Sequence, residues 1–289
     1  MSRMTSFVKR VLPAPVFHLV RDLPYALRDS GPPAAAGLPM PRLKDQYDGP
    51  RGYDVFERNG QEAFAFYRDA IGIRPHWKVL DIGSGIGRKT RHLVRFLDEK
   101  GLYVGMDIDE RGVKWCSENL SPLNKRFVFF KLNVYNKFYN PSGRITPDTV
   151  VLPFPDEGFD LVALWSVFTH MHTADIAHYL REISRVLKPG GKIAASYYIM
   201  DERTKRLVAD GTAGENIVHP LPGGASWTTN PNIPEDLLAV DEQWLRGAYE
   251  KAGLSIVEPI MSGHWSGHAA VPAYGDLARQ DIVVAAKPA

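Results

Sequence analysis

The chain has 289 residues, of which 44% are hydrophobic and 24% charged, and its formal net charge is +2. This size allows one large α/β core with an appendage, and a charge near zero provides no bulk attraction to nucleic acid. The single cysteine, Cys116, excludes an internal disulfide and a cysteine-based metal cluster, and no apolar run approaches the ~18 residues needed to span a bilayer. We therefore expect a cytoplasmic protein that binds no nucleic acid and no metal.

Residues 1–50 precede the predicted core. The first part, residues 3–28, is a basic amphipathic arm in which Pro13, Pro15 and Pro24 interrupt any helix. Arms of this kind lie on membrane surfaces, or pack on their own domain or on a second subunit. The sequence leaves peripheral membrane contact, homodimerisation and packing on the same chain open.

A proline- and glycine-rich linker, residues 30–50, leads into the main domain at 51–289. Two insertions interrupt this domain, at about 135–151 and 201–240. Because long ordered loops in compact domains are usually lids or binding loops, we interpret both as walls of a ligand pocket. A mobile surface loop is the alternative for the second insertion.

Short apolar runs alternate with helical runs along the main domain. Strands are predicted near 77–82, 102–107, 126–133, 159–165, 192–199, 254–260 and 279–286. Helices are predicted near 54–71, 87–99, 110–119, 174–187 and 241–252. The alternation indicates a parallel sheet between helical layers, in which ligands bind outside the carboxyl ends of the strands.

The first predicted strand runs into V-L-D-I-G-S-G-I-G, which carries an acid at Asp81 and glycines at Gly83, Gly85 and Gly87. Dinucleotide-binding turns have the spacing G-x-G-x-x-G and bind a pyrophosphate. Here the spacing is G-x-G-x-G, and a carboxylate before the turn repels a pyrophosphate but binds the ammonium of an amino acid. The turn therefore suits a ligand with an amino-acid end and a nucleoside end, although a strand-to-helix turn also needs glycine for steric reasons alone.

The second predicted strand, in G-L-Y-V-G-M-D-I-D, ends at Asp107, which lies 26 residues beyond Asp81. This distance fits one strand, turn, helix and next strand of a βαβ unit. An acid at the tip of the second strand is well placed to hold two ribose hydroxyls.

With both acids in place, the chain resembles the class I S-adenosylmethionine-dependent methyltransferases. Two later motifs extend the resemblance: L-P-F-P-D-E-G-F-D-L-V at Leu152–Val162, and R-E-I-S-R-V-L-K-P-G-G-K at Arg181–Lys192. The similarity runs from about Phe56 to Lys287. It implies a Rossmann-like, seven-stranded, mostly parallel sheet with helices on both faces and the last strand antiparallel.

The resemblance also implies that the cofactor is S-adenosyl-L-methionine and that adenine lies beside the end of the third strand. The residues expected to bind the cofactor are Asp81, Gly83, Ser84, Gly85, Gly87, Asp107, Ile108, Asn133, Val134 and Ser166.

Three histidines are candidates for catalysis. A hydroxyl acceptor must lose its proton, which requires a base of near-neutral pKa, most often histidine. His170, in W-S-V-F-T-H-M-H, follows the fourth strand, and His264 and His268, in S-G-H-W-S-G-H, lie between the last two strands. The alternatives are that His170 ties its loop to the next helix and that the other two form a substrate wall.

The Y-N-P-S-G segment of the first insertion, the S-V-F-T-H-M segment after the fourth strand and the basic arm are together similar to those of bacterial methyltransferases of small molecules and sugars. We therefore expect methyl transfer to a hydroxyl of a sugar, glycolipid or other polar metabolite. Transfer to nitrogen or carbon and a non-catalytic cofactor-binding protein are alternatives. A nicotinamide oxidoreductase is a further alternative, but the glycine spacing and Asp81 argue against it.

Overall fold

The computed structural model describes residues 22–32, 37–137, 139–267 and 274–289. The predictions that concern residues 1–21 and His268 lie outside the described residues. Among the helices of the described part, none is long and apolar enough to cross a membrane.

A seven-stranded sheet forms the centre of the molecule, with the strand order β10-β11-β5-β4-β1-β2-β3. Its strands are β1 Lys78–Ile82, β2 Leu102–Asp107, β3 Phe127–Lys131, β4 Phe159–Leu164, β5 Leu187–Tyr197, β10 Ser255–Ile256 and β11 Asp281–Ala286. Strands β1 to β5 pair in parallel, whereas β11 is antiparallel to β5. The predicted Rossmann-like sheet with an antiparallel last strand is thus confirmed, although β10 is much shorter than the predicted 254–260 strand.

Helices cover both faces of this sheet. They are α1 Tyr53–Phe66, α2 Leu93–Phe96, α3 Glu110–Asn119, α4 Thr173–Val186, α5 Glu202–Ala209 and α6 Glu242–Lys251. Residues 22–28 are also helical, so Pro24 does not interrupt the helix there as the sequence predicts. A π-helical turn, Tyr67–Ile71, extends α1.

The two faces have separate cores because successive strand residues point in opposite directions. Val79 of β1 packs in the core under α1 and α3, whereas its neighbour Leu80 packs in the core under α4 and α6. Helix α4 contributes Ile176, Leu180 and Ile183, which are spaced three or four residues apart and are fully buried. Burying each such side chain contributes ~1.5–3 kcal/mol to the stability of the fold. This apolar stripe therefore holds α4 against the sheet.

The predicted helix at 87–99 is reduced to α2, Leu93–Phe96, preceded by turns. Two arginines of the preceding segment bind residues near the N-terminus of the chain instead of solvent. Arg88 donates to the carboxylate of Asp48, and Arg91 donates to the carbonyl oxygen of Pro39 at 2.8 Å. Gly87 has a left-handed conformation, at φ 74°. Together with these tertiary hydrogen bonds it accounts for the absence of the first predicted helical turns.

The second insertion is folded, not a plain loop. Together with flanking residues it forms α5 and a four-stranded sheet of order β6-β9-β8-β7. The strands are β6 Ile199–Met200, β7 His219–Pro220, β8 Ser226–Thr228 and β9 Leu238–Asp241. Its own apolar cluster, which includes Met200, Ile217 and Trp265, holds this small sheet against the carboxyl edge of the central sheet.

Candidate functional site

The site lies where the strand order of the central sheet reverses. From β1 the chain proceeds outward through β2 and β3, whereas β4 and β5 lie on the other side of β1. In open α/β sheets, ligands bind in the crevice outside such a switch point. A cavity of about 980 Å³ opens at this place.

The glycine turn after β1 forms one wall of the cavity. Gly83 and Gly85 adopt left-handed conformations, at φ 81° and 54°, which favour glycine. A side chain at Gly83 would overlap Val167, and one at Gly85 would overlap Asp48. The turn therefore exposes bare backbone to a ligand while packing closely on both neighbours.

Asp81 presents an unpaired carboxylate oxygen beneath this turn. Its Oδ2 accepts a hydrogen bond from the Tyr103 hydroxyl at 2.6 Å, whereas its buried Oδ1 has no partner among the described residues. Burial raises the pKa of Asp81 to about 7. Because an orphaned buried oxygen is costly, this oxygen suits the ammonium group of a bound ligand.

Asp107 lies on the opposite side of the turn. Its carboxylate accepts from the backbone N–H groups of Gly85 and Asp109, both at 2.7 Å. Burial raises the pKa of Asp107 to about 6, although both hydrogen bonds lower it. A carboxylate has about four acceptor sites, so Asp107 can also accept from two hydroxyls of a ribose.

A segment from the N-terminal side closes the cavity above the turn. We name residues 47–50 the N-terminal strap; all four line the cavity. Asp48 accepts from the Ile86 N–H at 3.1 Å and pairs with Arg88 at 3.0 Å. The strap is not predictable from the sequence, because no local pattern marks Asp48 as the neighbour of a turn far along the chain.

Eight of the ten predicted cofactor-binding residues line the cavity, and two do not. Gly87 packs against α3, where a side chain would overlap Leu120. Asn133 is exposed, and its carbonyl accepts from the Ile145 N–H at 3.0 Å. The neighbouring Leu132 and Val134 line the cavity, whereas Asn133 between them does not.

The far half of the cavity is walled by both insertions, and His170 stands between them. The His170 Nδ1 lies 2.9 Å from the carbonyl oxygen of Glu235, and its Nε2 lies 3.5 Å from the Tyr139 hydroxyl. Because a carbonyl only accepts hydrogen bonds, Nδ1 carries the proton. In the neutral ring, Nε2 therefore carries the lone pair that a general base needs.

The structure does not place the other two predicted catalytic histidines in the cavity. His264 is exposed and does not line the cavity, and His268 lies outside the described residues. Glu235, which the sequence analysis missed, lines the cavity and carries a buried Oε2 without a hydrogen-bond partner in the described part of the chain. Within that part, no group of three or more His, Cys, Asp or Glu side chains is arranged to hold a metal ion.

The fold and the site define a class of α/β protein that binds a nucleoside with an amino-acid end. The match of a family model described as "Methyltransferase domain" to residues 80–195 makes this specific. This part of the chain belongs to the class I S-adenosylmethionine-dependent methyltransferases, whose cofactor is S-adenosylmethionine. The orphaned oxygen of Asp81 and the acceptor sites of Asp107 fit the ammonium and ribose of that cofactor.

Curated relatives support the same assignment. The chain is 33% identical over 160 residues to a sterol 24-C-methyltransferase of Gibberella zeae, a match covering 51% of this chain and 36% of the relative. It is 34% identical over 148 residues to a ubiquinone/menaquinone biosynthesis C-methyltransferase of a Shewanella species, covering 49% of this chain and 52% of the relative. The chain thus spans between a third and about half the length of these relatives.

Solved structures show the same fold at low sequence identity. The [4+2]-cyclase SpnF superposes with a TM-score of 0.52 at 18% identity, covering 95% of this chain and 94% of that one. A methyltransferase from Methanosarcina mazei superposes with a TM-score of 0.51 at 17% identity, covering 76% and 97% of the two chains.

Proposed function

We propose that this protein transfers a methyl group from S-adenosylmethionine to a small organic molecule held in the far half of the cavity. The observation that carries the proposal is the continuity of the cavity. A single space extends from Asp81 and Asp107 to His170 and the walls of both insertions. A donor held at one end therefore faces an acceptor held at the other.

The chain's own groups supply position and proton transfer. When bound, S-adenosylmethionine supplies a methyl group already activated by its sulfonium. Asp81 holds the ammonium, and Asp107 holds the ribose, which aligns the donor; alignment of reacting groups accounts for a large part of such a rate. His170 removes the acceptor proton through Nε2, and the Glu235 carbonyl keeps Nδ1 protonated throughout.

The first candidate for the methylated atom is a carbon made electron-rich by a neighbouring oxygen. The relatives named above carry the term C-methyltransferase, and the site contains a base that can remove a proton from such an acceptor. The hydroxyl oxygen expected from the sequence is the second candidate, because the same base also activates a hydroxyl.

The test is an acceptor screen with the purified chain. Sugars, phenols, quinols, sterols and amines are offered with isotope-labelled S-adenosylmethionine, and release of S-adenosylhomocysteine is followed. We expect product with an oxygen-bearing acceptor, and nuclear magnetic resonance of the labelled methyl group distinguishes carbon from oxygen attachment. Binding of the cofactor without product from any acceptor class, or product from amines alone, would contradict the proposal.

A further inference from the structure

Four polar side chains form a network on the cavity wall, and one of them, Ser166, is also among the predicted cofactor-binding residues. Ser166, Ser196, Tyr198 and Gln280 all line the cavity, at the carboxyl ends of β4 and β5 and the start of β11. Ser166 is held in a left-handed conformation at φ 59°. Such strained backbone persists where surrounding structure enforces it and is common at ligand sites.

The hydrogen bonds of this network converge on the side-chain amide of Gln280. The Ser196 hydroxyl accepts from the Ser166 N–H at 2.8 Å and donates to the Gln280 Oε1 at 2.6 Å. The Ser166 hydroxyl donates to the same oxygen at 3.0 Å. In this arrangement both serine hydroxyls donate to Oε1, and Nε2 of Gln280 is the end of the amide that faces Tyr198.

Tyr198 is therefore an acceptor within the network. Gln280 Nε2 lies 3.4 Å from the Tyr198 hydroxyl, and an amide nitrogen only donates. The hydroxyl keeps its own proton, and no side chain or carbonyl of the described residues accepts it. Burial raises the pKa of Tyr198, which keeps that proton in place, and the edge-on ring of Trp265, with centroids 4.9 Å apart, holds the tyrosine ring.

The charged side chains near Tyr198 do not favour a charged ligand, because they neutralise each other. Arg279 and Glu215, which also line the cavity, pair with each other at 2.6 Å. This end of the cavity therefore offers a hydrogen-bond donor beside a neutralised ion pair.

We propose that the Tyr198 hydroxyl donates a hydrogen bond to a carbonyl or ether oxygen of the methyl acceptor, which makes Tyr198 a specificity-determining residue. The inference rests on the proposed function, since it assigns the acceptor end of the same cavity. The inference requires that the acceptor carry a second oxygen, in addition to the atom that receives the methyl group or loses its proton to His170.

The test measures binding of a matched pair of probes to the protein saturated with S-adenosylhomocysteine. The probes are the bicyclic ketone 1-tetralone and its hydrocarbon analogue tetralin, titrated by ligand-observed nuclear magnetic resonance. In Tyr198→Phe we expect the ketone to bind about fivefold more weakly, as for one net hydrogen bond, and tetralin to bind unchanged. Retained S-adenosylhomocysteine binding shows that the variant is folded.

Two further variants separate this role from a structural one. In Gln280→Glu, the new carboxylate only accepts, so it draws the Tyr198 proton away from the cavity and weakens ketone binding in the same way. The matched control is Tyr197→Phe, because the Tyr197 hydroxyl bonds to the Tyr249 hydroxyl at 2.9 Å, away from the cavity. That variant keeps both affinities.

Unchanged ketone binding in Tyr198→Phe, or equal losses for ketone and hydrocarbon, would overturn the inference. The probes report on binding alone, so the failure of methyl transfer in the acceptor screen remains a separate result. A protein that prefers the ketone through Tyr198 but transfers no methyl group would refute the proposed function and show only that Tyr198 donates a hydrogen bond to a bound oxygen.

Discussion

At the scale of single residues, the proposed role of Asp81 connects the pKa of one carboxyl group to cofactor binding. Its Oδ1 is buried and unpaired in the described structure, and its pKa is raised to about 7 by burial. An ammonium group binds the ionised carboxylate, whereas a protonated Asp81 must first release its proton. The affinity for the cofactor is thus linked to pH in a definite direction.

We predict that cofactor affinity falls as the pH drops below about 7, approaching tenfold per pH unit. Calorimetric titration with S-adenosylhomocysteine over a pH series measures this. Asp81→Asn serves as the comparison: it binds about 10- to 100-fold more weakly, as expected for a hydrogen bond to a charged group, and loses the pH dependence. An equally steep dependence in both proteins would assign the proton to another group.

His170 is the second residue for which the proposed function makes a prediction. With the acceptor that the screen identifies, we predict that His170→Gln lowers kcat by about 10²- to 10⁴-fold, the usual contribution of a general base. At saturating cofactor, where the protonation of Asp81 no longer limits the rate, the acidic limb of the pH–rate profile disappears in the variant. Cofactor affinity is kept, because His170 lies in the far half of the cavity.

The control for His170 is His219→Gln, since His219 is exposed on β7 of the second insertion and does not line the cavity. It retains the wild-type rate. If His170→Gln kept the acidic limb while losing rate, His170 would have a positioning role, tying the two insertions together.

At the scale of elements, the N-terminal strap and the turn after β1 depend on each other. The Arg88 side chain is 2% exposed, and Asp48 is the carboxylate that pairs with it. The Arg88 guanidinium also donates to the Pro50 carbonyl oxygen at 3.0 Å and lies over the Phe56 ring. The strap is thus fastened by a largely buried charge pair.

We predict that Asp48→Ala lowers the free energy of unfolding by about 3 kcal/mol, because it leaves a buried arginine without its carboxylate. Cofactor binding weakens as well, since the strap lines the cavity. Urea unfolding and calorimetry measure the two effects. Asp45→Ala is the matched control, as Asp45 pairs with Lys44 at 3.7 Å on the surface, and we expect a change within about 0.5 kcal/mol. Equal effects of the two substitutions would contradict the role of the strap.

Elements also show which parts of the site the sequence could predict. Asp81 and Asp107 follow from patterns within one βαβ unit, where a strand, a turn and the next strand lie close together in the chain. Asp48 and Glu235 come from segments that fold back from far along the chain, and local periodicity contains no information about such contacts. The small sheet of the second insertion was missed for a related reason: its strands have two to four residues, too few to show alternation.

At the scale of the whole molecule, three buried carboxyls affect stability in the same direction. Burial raises the pKa of Asp81 and Asp281 to about 7 and that of Asp107 to about 6, from 3.8. The folded state therefore binds more protons than the unfolded state between about pH 4 and pH 7. Stability is lost as the pH rises through this window. His92, whose pKa burial lowers to about 4, acts in the opposite direction below about pH 6.5.

We predict that the cofactor-free protein is less stable at pH 7 than at pH 5, because three carboxyls outweigh one histidine. Each carboxyl contributes about 1.4 kcal/mol per pH unit within its own window. Urea unfolding at both values measures the difference, and Asp81→Asn reduces it. A stability that rises steadily from pH 5 to pH 7 would show that the histidine dominates.

The position of the strap has a consequence for how this protein can be divided. Sequence composition suggests a domain that starts at residue 51, and a protein shortened to that point retains the central sheet and the glycine turn. It lacks Asp48, however, and so exposes Arg88 and opens one side of the cavity. In chimaeras or domain exchanges with related proteins, the unit to be transferred therefore begins upstream of the strap. The segment whose composition indicates a linker has to be included with the methyltransferase domain.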